Sequence, residues 1–312
     1  MSVISCASQT HKINKPNQDY CVCFENKILG FKGVIVADGL GSHFNSELSS
    51  KFCAEKLKEK LELIEILPIS FKDLFKEVKA DLIDFSENEL NIENRVQSDL
   101  GTTLLCAVDF PEEYHFAYVG NGSIWQISGN FNHFKNTRSL PWNSINLLNP
   151  HNREEDGVSK MFKYMSISDT SVIPSEIKLS KNEDCYGDII IICTDGVYSS
   201  DDSKMGFDNN GVLWIMGEET IIELYKFLNN LFVDFSCEIT ENKLSLILEN
   251  YLNILKENDI MDDDTTLGVI ISDKTIQYQK LCYESRIKAL SSEIKNDSGT
   301  RLADRNSNDN PV

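Results

Sequence analysis

The sequence has few basic residues and no long apolar run. Of its 312 residues, 30 are Lys or Arg and 49 are Asp or Glu, so the formal net charge is −19. This surplus of negative charge disfavours nucleic acid and anionic membranes as partners, because both are themselves anionic. No apolar run approaches the roughly 20 residues that a membrane-spanning helix needs. We therefore expect a soluble protein that binds neither nucleic acid nor membrane, and a cation site fits the charge.

The sequence also lacks a C-x-x-C pair. Its nine cysteines are an odd number without the spacing of a disulfide framework, and several lie in or beside apolar runs, as small core residues do. Near residue 1, the charged residues Lys12, Lys15 and Asp19 come too early for the apolar region of a secretion signal. These features predict reduced thiols and a cytoplasmic location.

Carboxylates stand at the ends of several apolar runs. The runs and their acidic residues are 33–37 before Asp38 and Gly39, 188–194 before Asp195, and 266–272 after Asp262, Asp263 and Asp264. An Asp followed by glycine offers a carboxylate and an unobstructed backbone carbonyl to one hard cation. A single such Asp is commonly only a solvated turn residue. Three clusters together predict a metal site made from Asp38, Asp195 and one of the three consecutive aspartates.

The hydrophobic periodicity predicts runs of strands broken by pairs of helices. Strands are expected at 2–9, 20–24, 33–37, 102–108, 114–119, 123–127, 188–194 and 266–272. Helices are expected from about residue 46 to Pro68, from Ser70 to 85, and at 218–233, 240–257 and 275–294. Residues 129–183 are polar and are predicted to form an irregular flap with one short helix near 153–158. This order predicts an α+β fold with helices on both sides of two antiparallel sheets.

Six short motifs follow one another along the chain. They are Asn17-Gln18-Asp19, Val36 to Gly41, Gly101-Thr102-Thr103, Val119 to Gly122, Thr194-Asp195-Gly196 and Asp263 to Thr266. In this order they resemble a bacterial branch of the metal-dependent protein Ser/Thr phosphatases of type 2C. The resemblance implies a four-layer α-β-β-α sandwich over residues 1–273, with 274–312 as a C-terminal helix and disordered tail. It also implies two Mg²⁺ or Mn²⁺ ions, a phosphorylated protein as substrate, and a Ser/Thr kinase as the opposing enzyme.

The resemblance further implies roles for single residues. Asp38 would bridge the two metal ions. Asp195 and Asp263 would hold one of these ions, and the Gly39 carbonyl would contact the other. Asp19 would orient a metal-bound water. Either neighbour of Asp263 could take its place, because a slip of one residue in the strand register exchanges their positions.

Two positions depart from the family's pattern. Asn14 stands where the family has an arginine that binds the substrate phosphate. Lys12, Lys15 or His11 could supply a positive donor instead, although a lysine offers a point charge rather than a two-pronged donor. Either lysine could equally be an ordinary surface residue. Asn121 stands where the family has an aspartate that helps to hold a third ion. An amide binds Mg²⁺ less well than a carboxylate, so we expect two ions and no third.

The function predicted from these residues is hydrolysis of phosphoserine and phosphothreonine in proteins by a metal-bridging water. No cysteine has the arginine-rich phosphate loop that a covalent phospho-enzyme would need. His43 could be a general acid or, as we favour, a residue at the entry to a helix. Two alternatives remain at this stage: a catalytically weak regulatory protein that binds a phosphoprotein or kinase, and a phosphatase for a small phosphorylated molecule. We expect a monomer.

Overall fold

The computed structural model describes residues 2–12, 15–90, 100–129, 142–168, 172–181, 187–197, 204–207, 213–216, 239–258, 261, 263–281, 283–285 and 287–289. The strands are β1 Val3–Gln9, β2 Asp19–Asn26, β3 Phe31–Asp38, β4 Leu104–Asp109, β5 Glu113–Val119, β6 Ser123–Gly129, β7 Trp142–Asn146, β8 Asn152–Glu155, β9 Val158–Met161, β10 Ser175–Ser180, β11 Asp188–Cys193, β12 Lys204–Phe207, β13 Leu213–Met216 and β14 Thr265–Ile271. The helices are α1 Ser46–Glu62, α2 Phe71–Asn88 and α3 Glu241–Glu257, and residues 273–281 are also helical.

Two five-stranded antiparallel sheets lie at the centre of the fold. Sheet A has the strand order β1-β14-β11-β6-β7, and sheet B has the order β10-β5-β4-β3-β2. The strands β8 and β9 pair as a separate hairpin, as do β12 and β13. The short β5–β6 connection takes the chain from sheet B to sheet A, so this turn lies where the two sheets meet.

Residues of one strand alternate between two layers of the core, because successive side chains point to opposite faces of a sheet. In β3, Val34 and Val36 pack between the two sheets, whereas Ile35 and Ala37 pack against the helices α1 and α2. The apolar face of α3 covers the outer side of sheet A. The layers are therefore α-β-β-α, which confirms the predicted architecture.

The sheets approach each other closely at Gly268 in β14. A Cβ atom built on Gly268 would lie 2.4 Å from Cγ2 of Val34 in the facing sheet. Glycine at this position therefore leaves the space that the Val34 side chain occupies.

The prediction for residues 129–183 was partly wrong. The expected short helix near 153–158 is instead the β8–β9 hairpin, whose turn residues Asp156 and Gly157 have φ angles of 55° and 76°. An Asp-Gly pair with two positive φ angles is the turn that suits a two-residue hairpin. The strands β7 and β10 also add an edge to each sheet, so this segment is less irregular than we expected.

The predicted helices have different outcomes. The predicted helices at 240–257 and from Ser70 to 85 are confirmed as α3 and α2, and the Ser70 side chain caps α2 by accepting a hydrogen bond from the Asp73 backbone N–H. The C-terminal helix begins at residue 273 rather than 275, and helical residues are described as far as 289. The predicted helix at 218–233 and the predicted tail lie outside the described residues. No helix in the described part of the chain is long and apolar enough to cross a membrane.

Candidate active site

The strand pairing brings four separate aspartates to the same end of the two sheets. In sheet B, β2 begins at Asp19 and β3 ends at Asp38, and these two residues are direct cross-strand partners. In sheet A, β11 ends just before Asp195 and its antiparallel neighbour β14 begins just after Asp263. Four carboxylates that are distant in sequence therefore meet at one edge of the sandwich.

The cluster opens from the interior towards solvent. Asp19 is 5% exposed, Asp38 and Asp195 are half-buried, and Asp263 is exposed. Burial is the main cause that raises the pKa of Asp19, Asp38 and Asp195, because a buried carboxylate loses its hydration. Repulsion between the carboxylates raises these pKa values further; for Asp38 it comes from Asp19, Asp195 and Asp263.

Hydroxyl groups of threonine hold this end of the strands in place. The Asp38 backbone N–H donates to Thr103 Oγ1 at 3.0 Å, and the Asp38 carbonyl accepts from Thr102 Oγ1 at 2.8 Å. Thr194 Oγ1 donates to Asp19 Oδ2 at 2.8 Å across the two sheets. Thr102 and Thr103 are buried but precede β4, which begins at Leu104 rather than at the predicted residue 102. The sequence pattern did not indicate the bond from Thr194 to Asp19.

Asn121 lies against Asp195. Its Nδ2 atom donates to Asp195 Oδ2 at 2.7 Å. Its Oδ1 atom is buried and has no hydrogen-bond partner among the described residues. An unpaired buried oxygen is costly, and this one lies on the amide group that touches an acidic cluster. Asn121 Oδ1 is therefore available at this site to bind a cation or to accept a hydrogen bond from a water.

The aspartates that precede β14 differ in what they contact. Asp264 Oδ1 accepts from Thr10 Oγ1 at 3.0 Å and from the His11 backbone N–H at 2.8 Å, and Asp264 Oδ2 accepts from the Gln18 backbone N–H at 2.8 Å. The carboxylate of Asp264 thus anchors the β1–β2 loop. Among the described residues, the carboxylate of the exposed Asp263 accepts a hydrogen bond only from the adjacent Asp264 N–H, at its Oδ1, and so has no comparable anchoring role. Asp263 is the better candidate ligand, and Asp262 lies outside the described residues.

The residues predicted to bind phosphate lie on the loop that Asp264 anchors. His11 is half-buried, and the Lys12 and Lys15 side chains are exposed. The Lys15 backbone N–H donates to the Lys12 carbonyl at 3.1 Å. Asn14 lies outside the described residues. The structure places this loop beside the acidic cluster, and the phosphate-binding role of its basic residues stays a prediction.

His43 packs against Gly101 and Tyr164, close to the site. A Cβ atom on Gly101 would lie 2.5 Å from Cδ2 of His43, and the imidazole meets the Tyr164 ring edge-on with centroids 5.4 Å apart. The close approach to Gly101 explains the glycine of the Gly-Thr-Thr motif. His43 lies three residues before α1 begins at Ser46, in line with the position at a helix entry that we favoured.

The donor set fits a hard divalent cation, which prefers carboxylate and carbonyl oxygens. The clustered carboxylates raise one another's pKa and lie next to Asn121 Oδ1. Positive charge stabilises such a group of oxygens. Among the described residues, no three acidic, histidine or cysteine side chains already enclose one ion position. The aspartates must therefore turn towards an ion for three of them to hold it.

Comparison with known proteins identifies the family. The family model described as Protein phosphatase 2C matches residues 8–229. The chain belongs to the protein phosphatase 2C family. Enzymes of this family are in general metal-dependent, and the family is one of protein phosphatases, so phosphoproteins are its substrates. No curated protein matches the chain.

Solved structures share the phosphatase 2C fold at low sequence identity. The serine/threonine phosphatase Stp1 from Staphylococcus aureus is 16% identical, with a TM-score of 0.58 over 88% of this chain and 96% of that one. The S. agalactiae serine/threonine phosphatase is 14% identical, with a TM-score of 0.57 over 88% and 100%. A C. elegans sex determining protein is 12% identical, with a TM-score of 0.59 over 90% and 67%. At these identities the likeness establishes the fold alone.

Proposed function

We propose that this phosphatase 2C protein hydrolyses phosphoserine and phosphothreonine in proteins with two Mg²⁺ or Mn²⁺ ions. The observation that carries the proposal is the meeting of Asp19, Asp38, Asp195 and Asp263 at one end of the sheets. Repulsion within this cluster raises the pKa of Asp19, Asp38 and Asp195, and bound cations remove that repulsion. A protein without a cation to bind gains nothing from such a cluster.

Each residue has a part in the proposed site. When bound, the two ions would supply Lewis-acid activation of water and of the phosphoryl oxygens. Asp38 would bridge them, with Asp195 and Asp263 on one ion and the Gly39 carbonyl on the other. Asp19, whose Oδ2 is held by a hydroxyl group, would use its remaining oxygen to orient a water.

Further parts of the proposal concern partners and extent. The basic residues His11, Lys12 and Lys15 would bind the substrate phosphate from the anchored loop. We propose a monomer that works in the cytoplasm and reverses the action of a Ser/Thr kinase. Residues 1–273 would form the phosphatase domain, and 274–312 an appended segment.

A catalytically weak regulatory protein on the same fold is the alternative suggested by Asn14 and Asn121. The retained acidic cluster argues against it, because these mutually repelling carboxylates have no use in a protein that only binds a partner. A third possibility is a small phosphorylated molecule as the substrate. The experiment below separates the three.

The test is release of phosphate from a phosphothreonine peptide and from p-nitrophenyl phosphate by the full chain, with Mn²⁺, with Mg²⁺ and with EDTA. We expect metal-dependent hydrolysis of the peptide that EDTA abolishes. Asp38→Asn should lower its rate by at least about 100-fold, since no other ligand can replace a carboxylate that bridges both ions. Asp84→Asn, which removes an exposed carboxylate on α2, should leave the rate unchanged. Mn²⁺ binding without hydrolysis would instead support the regulatory protein. Hydrolysis of p-nitrophenyl phosphate alone would support a small-molecule substrate.

A further inference from the structure

The turn between β5 and β6 lies between the sheet B aspartates of the acidic cluster, Asp19 and Asp38, and its sheet A aspartates, Asp195 and Asp263. Gly120 and Gly122 have φ angles of 107° and 106°. A Cβ atom on Gly120 would lie 2.6 Å from Cβ of Thr103, and one on Gly122 would lie 2.5 Å from the Cys193 carbonyl oxygen. Thr103 supports the backbone of Asp38 in sheet B, and Cys193 ends the strand that leads to the aspartate of sheet A. The position of this turn therefore sets where the sheet A aspartates lie relative to the sheet B aspartates.

One buried side chain holds this turn from the other side. The Gly120 backbone N–H donates to His151 Nδ1 at 3.0 Å, and the His151 backbone N–H donates to the Gly120 carbonyl at 3.1 Å. Both polar groups of Gly120 are thus bound by a single residue. His151 is 6% exposed, and its imidazole stacks on the Tyr118 ring, with centroids 5.1 Å apart.

The protonation state of His151 follows from these contacts. A backbone N–H can only donate, so Nδ1 must be the unprotonated nitrogen that accepts from Gly120. The proton is then on Nε2, which donates to Ser175 Oγ at 2.8 Å. Burial, and to a lesser extent the charge of Lys163, lowers the pKa of His151 to about 4. The imidazole therefore stays neutral, and its acceptor stays available, at neutral pH.

We propose that His151 is a positioning residue for the metal site. By holding Gly120 it fixes the turn, and the next residue, Asn121, then donates to Asp195 Oδ2 at 2.7 Å. The turn also fixes the distance between Asp195 and Asp38, which lie on different sheets. The inference rests on the proposed metal site, in which His151 touches neither the metal ligands nor the substrate.

Three variants separate the two imidazole nitrogens. In His151→Asn, the side-chain oxygen can take the place of Nδ1 and accept from Gly120, but nothing reaches Ser175. In His151→Gln, the amide nitrogen can take the place of Nε2 and donate to Ser175, but Gly120 loses its acceptor. Ser175→Ala removes only the partner of Nε2.

The readout is the Mn²⁺ dissociation constant, measured by calorimetry on the full chain, with the unfolding temperature of each metal-free variant as the measure of folding. We expect His151→Gln to weaken Mn²⁺ binding by about 10- to 100-fold, as changes in residues that support metal ligands do. His151→Asn and Ser175→Ala should stay within about threefold of wild type. Wild-type affinity in a folded His151→Gln would overturn the proposal. So would equal losses in all three variants that follow their unfolding temperatures, because those would reflect packing alone.

A second readout needs no metal. In protein labelled with ¹⁵N at asparagine, the Asn121 side-chain amide can be assigned by its disappearance in Asn121→Ser, and its exchange with water can be measured. We expect slow exchange in wild type and in His151→Asn, and at least about tenfold faster exchange in His151→Gln. Equal exchange rates would overturn the positioning role. If wild type binds no Mn²⁺, the proposed function fails, and this measurement still decides whether His151 positions Asn121.

Discussion

The paired aspartates Asp19 and Asp38 make the stability of the metal-free protein depend on pH. They face each other across β2 and β3, and burial together with neighbouring carboxylates raises the pKa of both. An unfolded Asp has a pKa near 3.9. Between that value and the raised folded values, the folded protein binds more protons than the unfolded protein. The metal-free protein therefore loses stability as the pH rises through this range.

The variant Asp38→Asn tests this account through stability rather than turnover. Without metal, it should be more stable than wild type at pH 8 by about 1–2 kcal/mol, with a smaller difference at pH 5, because a neutral amide ends the repulsion. Urea unfolding in EDTA at both pH values measures the difference. Asp84→Asn on α2 is the exposed control and should follow wild type. A constant difference between wild type and Asp38→Asn at both pH values would contradict the repulsion argument.

Asn121 is the residue at which this chain departs most directly from the carboxylate pattern. Its Nδ2 donates to Asp195, and its Oδ1 has no hydrogen-bond partner in the described part of the chain. In Asn121→Asp the donor is replaced by another negative charge, so the metal-free protein should lose about 1 kcal/mol of stability. The same change should add a Mn²⁺ site, seen as a larger stoichiometry in calorimetry. An unchanged titration, with unchanged stability, would show that the amide has no influence on metal binding.

The aspartates before β14 show what sequence alone could not decide. The pattern placed a ligand among three consecutive residues, since any of them could meet the strand in the right register. Asp264 is distinguished only by tertiary contacts, namely the backbone N–H groups of His11 and Gln18 that it accepts. Those donors lie some 250 residues earlier in the chain, and no local pattern relates them to Asp264.

At the scale of elements, the apolar strands were predictable and the polar ones were not. The runs at β3, β11 and β14 are buried on both faces, so their composition alone indicates strands. The edge strand β10 has a weaker signal, in which Ile177 and Leu179 alternate with exposed Glu176 and Lys178. The β8–β9 hairpin has almost no apolar face, and the Asp-Gly pair at its turn was its clearest indication.

The contact between β14 and β3 predicts a strong effect of a small substitution. In Gly268→Ala the added methyl group would overlap Val34 across the interface between the sheets, which should cost about 1–3 kcal/mol of unfolding free energy. Val34→Ala alone should also destabilise, because it leaves a cavity. Together the two changes should cost less than their sum, since the new methyl group enters the space that Val34 leaves.

Chemical unfolding of the two single variants and the double variant measures this coupling. Gly157→Ala is the control for backbone effects: its φ is 76° but its Cβ would meet nothing within 4 Å. It should cost about 1 kcal/mol through conformation alone, independently of Val34. Strict additivity of Gly268→Ala and Val34→Ala would mean that the sheets relax apart instead of sharing this space.

At the scale of the whole molecule, a net charge of −19 acts on every approaching phosphopeptide. A phosphate group carries close to two negative charges at neutral pH, so the long-range field opposes its approach unless basic residues lie beside it in the substrate. Salt screens this field over about 10 Å at 0.1 M.

For phosphothreonine peptides that differ only in flanking residues, we expect opposite responses of kcat/KM to salt. From about 50 to about 300 mM NaCl, it should fall by roughly threefold for a lysine-flanked peptide and rise for a glutamate-flanked one. A parallel change for both peptides would mean that the loop of His11, Lys12 and Lys15, rather than the overall charge, dominates the electrostatics of substrate approach.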